Sequence, residues 1–133
     1  MPRERFPPHD PREWLNRARS NLAQAKVHVP GVYLEDLCFA AQQAAEKAIK
    51  AVFVHHGLDF PFVHDLARLL TLLEEAGHRV PKYVRQAERL ARFAVETRYP
   101  GLSSPVARRD HRRAVGIAET VVRWAARQIG EKT

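Results

Sequence analysis

Cysteine, methionine and asparagine are nearly missing from this sequence, which holds one Cys, one Met and two Asn. A lone Cys38 closes no internal disulfide and has no metal-ligand spacing around it, which suits a reducing compartment. Scarce thermolabile residues and basic residues that are mostly arginine are a usage shared with thermophilic proteins. No run approaches the roughly 18 uncharged apolar residues of a membrane span. The opening segment, Met1 to Trp14, carries charge and proline but lacks the apolar stretch of a secretory leader. A cytoplasmic chain with no membrane contact is expected. There is no glycine-rich phosphate loop, no GxSxG and no CxxC. The seven histidines show no HxxxH or HExxH spacing. No metal site and no cofactor are therefore expected.

Strand-like alternation is missing as well, so what remains is helical. At 133 residues the chain suits one domain, able to bury roughly two-thirds of its unfolded surface. The reading is an N-terminal tail over 1–11 and one helical domain over 12–130. Proline and glycine divide it into five helices. The first opens at Asp10-Pro11-Arg12-Glu13, with Asp10 as cap and Glu13 placed for a capping box. The second runs from about Val32 to His56 and stops at Gly57. The third follows Pro61 and ends at Gly77. The fourth runs from Pro81 to the break at Pro100-Gly101, and the fifth opens with Ser104 as cap. Short connections make successive helices antiparallel neighbours, so the expected fold is all-α, an antiparallel up-and-down bundle of four to five helices.

The charge is concentrated in one segment. The chain carries +7, and residues 79–113 hold ten basic side chains against three acids, so this segment accounts for the whole excess. Such a patch attracts nucleic acid, nucleotide phosphate or an acidic protein, although a solvated helix face has the same composition.

Three short blocks hold the residues that could carry chemistry. In the second helix, Phe39-Ala40-Ala41-Gln42-Gln43-Ala44-Ala45-Glu46-Lys47-Ala48-Ile49-Lys50 sets alanines that admit a close-packed helix beside a polar face. That face holds Gln43, Glu46, Lys47 and Lys50, with Glu46 and Lys50 at pair-forming spacing; an ordinary solvated face reads the same way. His64-Asp65-Leu66 enters the third helix, where Asp65 suits a cap and His64 is a candidate for acid–base work. Arg92 through Pro100 closes the fourth helix. Arg92 and Glu96 stand four apart, as in an intrahelical ion pair, while Arg92, Arg98 and Tyr99 gathered at a helix end would offer planar donors to phosphate.

In order and spacing, Phe39-x-x-Gln42-Gln43-Ala44-x-Glu46-Lys47-x-x-Lys50, His64-Asp65-Leu66 and Glu96-x-Arg98-Tyr99-Pro100 resemble the small HEPN domain, over about residues 12–128. The resemblance implies a helical bundle that forms a homodimer and pairs with a minimal nucleotidyltransferase protein. Many members are metal-independent ribonucleases whose arginine and histidine, spaced Rx4-6H, meet across the dimer. In toxin members the motif is Rx4HxY, and the tyrosine is open to modification with adenylate. This chain departs from that pattern. Arg92 and Tyr99 fit, but Thr97 stands where the histidine belongs, and threonine is no general base near neutral pH. The one strict Rx5H, Arg3 to His9, falls in the tail.

The candidates carried forward are Arg92, Thr97, Tyr99 and His64 for catalysis, and Arg92, Arg98, Tyr99, Gln43, Lys47 and Lys50 for phosphate. The expected role is binding of nucleotide or RNA beside a nucleotidyltransferase, toxin–antitoxin-like and without strong catalysis. A metal-independent endoribonuclease and a dimeric interaction module without chemistry are the alternatives.

Overall fold

The computed structural model describes residues 3–131. Helix α1 spans Pro11–Lys26, α2 Leu34–His55, α3 Leu66–Glu75, α4 Lys82–Arg85 and α5 Arg108–Gln128, and no strand occurs among the described residues. All-helical architecture is as the apolar periodicity requires.

Helix α2 is the centre of the bundle and packs chiefly on α1 and α5. Asn21 meets Lys47, and Trp14 and Val54 line one groove nearer the start of α1, so α1 and α2 run antiparallel. Helix α1 also opposes α5: Lys26 pairs with Glu119 at 2.6 Å and His111 Nε2 meets the Ala25 carbonyl at 2.7 Å. Close approach follows from the small residues, since Ala18, Ala25, Ala41, Ala44, Ala45, Ala48 and Ala51 are all completely buried. The alanine seam of α2 is thus filled by the chain's own helices. Around it pack Leu15, Ile49, Phe53, Leu66, Leu69, Leu70, Leu73 and Val121.

Local chemistry sets the helix ends. Asp10 caps α1 by accepting from the Arg12 N–H at 2.9 Å. Glu13 does not complete a capping box; its carboxylate accepts from the Phe6 N–H and from Arg17 instead, because the chain before α1 folds back onto it. At Gly57 φ is +67°, and the Leu58 and Gly57 N–H groups reach the Phe53 and Val54 carbonyls, closing α2 in a Schellman turn. Helix α3 begins at Leu66 rather than just after Pro61, since Asp65 accepts from the Arg68 N–H. Ser104 is not the cap of α5. The Val106 N–H donates to Glu35 at 3.1 Å and the Ala107 N–H to Asp110 at 3.0 Å, which holds residues 105–107 extended and delays the helix to Arg108.

The largest departure is in the fourth helix. One α-turn, Lys82–Arg85, passes into a 3₁₀ run, Gln86–Phe93, and after a break at Val95 (φ −132°) a further 3₁₀ turn covers Glu96–Arg98. From Lys82 to Phe93 the buried residues are Val84, Ala87, Leu90 and Phe93, one every third position; Ala94 and Thr97 beyond are buried too. That row faces the core continuously only at three residues per turn. Ala91 and Val95, which a 3.6-residue period would put on the same face as Val84 and Ala87, are exposed. Arg85 anchors the run to α3 through the Ala67 carbonyl, Thr71 and Glu74.

Ala44→Leu forces three carbons into a filled seam and is expected to cost about 1–3 kcal/mol. Urea unfolding measures this; an unchanged midpoint would mean that the seam has room to spare.

Candidate functional site

Folding brings the three sequence blocks onto one stripe of α2. Phe39, Gln42 or Gln43, Glu46 and Lys50 recur at three- and four-residue steps, so they climb one side of the helix. At one end the Arg98 guanidinium lies 4.0 Å above the Phe39 ring. About 10 Å further along, seven residues of helical rise, His64 Nδ1 meets Glu46 Oε1 at 2.8 Å.

Between these ends the polar residues are not solvated. Gln42 is fully buried, Glu46 is 4% exposed and Lys50 7%. Glu46 binds Lys50 Nζ at 3.0 Å through Oε2, while Oε1 accepts from Gln42 Nε2 at 3.2 Å and faces His64. Gln43 donates to Gln42 Oε1 at 2.7 Å and Gln42 also points to the His64 carbonyl. Burial alone raises the Glu46 carboxyl, but hydrogen bonds from His64, Lys50 and Gln42 and the Lys50 charge outweigh it and hold it below its ordinary value. The solvated-face reading of Glu46 and Lys50 is thereby corrected: their i,i+4 pair forms, but inside the fold. His64 keeps two-thirds of its side chain in solvent, so its ring is steered by a buried carboxylate and open on the other edge.

The remaining candidates lie elsewhere. Lys47 turns toward α1 and donates to Asn21 Oδ1 at 2.7 Å. Burial, then Arg17, holds its ammonium below its ordinary value. Arg92 is exposed, 5.0 Å from the Phe93 ring, and lines a groove of about 310 Å³ with Arg89, Arg113 and Asp110. No Arg92–Glu96 ion pair forms among the described residues, because the break at Val95 separates them. Arg92 and Arg98 therefore take different partners rather than gathering at one helix end. Tyr99 is exposed. Thr97 is 6% exposed and its Oγ1 has no hydrogen-bond partner. A side chain at 97 faces inward while Arg92 is exposed, so a histidine there would not share an open face with Arg92. Arg3 and His9 lie on the segment ahead of α1.

Residues 11–129 match the HEPN domain family model. This chain belongs to the HEPN family. Its fold is shared with TT1696 from Thermus thermophilus, 31% identical, with a TM-score of 0.75 over 90% of this chain and 98% of that one. ST0689, described as an archaeal HEPN homologue, is 25% identical, with a TM-score of 0.70 over 96% of this chain and 99% of that one. No curated protein matches the chain. Within the HEPN frame, two features escaped sequence reasoning. Gln42 is the buried bridge of the stripe, and its motif position alone says nothing of burial. His56 stacks on His78 with ring centroids 3.6 Å apart, a contact between residues that no local spacing relates.

Glu46→Gln leaves Lys50 buried without its carboxylate, expected to cost about 3 kcal/mol at pH 7. A carboxyl held below its ordinary value contributes stability above the ordinary carboxylate range and loses it as pH falls through that range and beyond. Urea titrations from pH 7 downward should show the gap between variant and wild type closing; a constant gap would refute the charge as its cause.

Proposed function

We propose that this HEPN protein binds the phosphates of nucleotide or RNA, without strong catalysis of its own, and partners a minimal nucleotidyltransferase in the cytoplasm as a toxin–antitoxin-like subunit. One observation carries the reading: Arg98 is stacked on Phe39 and, among the described residues, donates only to the Ala94 carbonyl at 3.3 Å and has no ion pair. Arg98 is exposed at one end of the stripe, whose other end is marked by His64 on Glu46. A guanidinium fixed by an aromatic ring and free of carboxylate is suited to a phosphate. The arginine groove around Arg92 extends the positive field and gives a longer polyanion a second hold. The homodimer belongs to this proposal through that basic surface, not through the alanine seam, which the chain fills itself.

A second reading, a metal-independent ribonuclease, gains support from His64 rather than Thr97. With Nδ1–H donating to Glu46, a neutral imidazole presents Nε2 to solvent and can take a proton from an RNA 2′-hydroxyl. In that reading His64→Ala abolishes cleavage, EDTA leaves it intact, and Thr97→His adds nothing.

Arg98→Ala with Arg92→Ala is expected to weaken single-stranded RNA binding at least tenfold, and added salt to weaken the wild type. Fluorescence anisotropy reads both, and unchanged affinity in the double variant would remove these arginines from the site. Light scattering at micromolar concentration should give twice the 15.2 kDa chain mass; a value near one chain would exclude the dimer.

A further inference from the structure

Two grooves meet over Trp14. One, of about 620 Å³, runs along Trp14, Phe60 and Phe62 to Asp59; the other, of about 450 Å³, runs from Trp14 past Pro8 to Arg17 and Lys47. The first end is aromatic. Trp14 and Phe60 pack edge to face at 5.3 Å, and Phe62 is 98% exposed with its ring in solvent. The second end is cationic. Lys47 is half-buried; among the described residues its ammonium hydrogen-bonds only the neutral Asn21 Oδ1 and pairs with no carboxylate. The nearby Glu13 carboxylate is already taken up by the Phe6 N–H and by Arg17.

From these features we infer that the Trp14 groove is a nucleoside monophosphate subsite, with the base against Phe60 and Phe62 and the phosphate at Lys47; this rests on the nucleotide-binding reading above. Aromatic faces stack bases of any sequence. The orientation follows from charge, because Asp59 repels a phosphate from the aromatic end while Lys47 and Arg17 attract it to the other. Lys47 and Val54, which line the two ends, are seven residues apart on α2, about 10 Å of helix and on the scale of one nucleotide. An arriving dianion also gives the half-buried ammonium of Lys47 a countercharge that the neutral Asn21 does not supply. Lys47 turns to α1, away from the Arg98 end of the stripe, while Glu46 meets His64. The stripe touches the groove at its aromatic end, where the Lys50 ammonium, paired with Glu46, lies 5.0 Å from the Phe60 ring centroid.

Trp14 is the natural reporter, because Trp124, the other tryptophan, is 2% exposed. AMP, adenosine and ribose 5-phosphate are titrated against the whole chain by tryptophan fluorescence. AMP should bind about tenfold tighter than either fragment. Lys47→Met should bring AMP to the adenosine level, and Phe62→Ala, at a solvent-exposed position, should weaken AMP and adenosine alike. AMP affinity untouched by both variants would overturn the groove. Loss of the AMP response on Arg98→Ala but not on Lys47→Met would place the nucleotide on the stripe and overturn it too. No AMP response at all would also overturn the groove, while RNA anisotropy still decides the first reading separately.

Discussion

A carboxylate removed from water has to be surrounded by donors, and Glu46 is the residue on which the rest of this fold is arranged. With 4% exposure on the central helix, it draws in Lys50 from the next turn, Gln42 from the previous one and His64 from the segment ahead of α3. Each contact satisfies part of a charge that would otherwise cost several kcal/mol to bury. Together they fix where residues 61–65 cross α2, and so where α3 starts. The same stripe ends under Arg98, so the buried network and the exposed donor share one rigid support.

The second constraint is the three-residue row of Val84, Ala87, Leu90 and Phe93. An α-helix would carry that row around its axis and expose part of it; the 3₁₀ run keeps it on the core. This geometry is less favourable per hydrogen bond, and the run ends at the Val95 break. The consequence reaches the site. Thr97 turns inward, Arg98 turns onto Phe39, and Arg92 is left outside on the groove beside α5. Charge separates accordingly: the buried stripe is locally neutralised, while Arg92 and Arg98, with no ion pair among the described residues, stand on the surface.

Much of this was legible before folding. Helix count and order follow from apolar spacing and glycine stops, and Asp10 and Asp65 cap where short polar residues beside apolar runs should. The Glu46–Lys50 pair was legible as spacing, yet its burial was not, because a polar face looks the same whether water or another segment covers it. The fourth helix misled for a related reason. Its alanines and Val95 suit a 3.6-residue period as well as the row of three suits 3₁₀, and only packing against α2, α3 and α5 selects between them.

Composition and local pattern by themselves determined that the chain is helical, that its second and third helices stop at Gly57 and Gly77, and that its excess positive charge lies in residues 79–113. These depend on backbone propensity, caps and side-chain charge, all of which act over a few residues. Tertiary structure alone decided that Glu46 is buried, that His64 meets it across 18 positions, that Arg98 rides on Phe39, and that Trp14 and Phe60 share a groove. Those contacts join segments far apart in the chain. Their energies come from desolvation and close packing, which exist only once the helices have met.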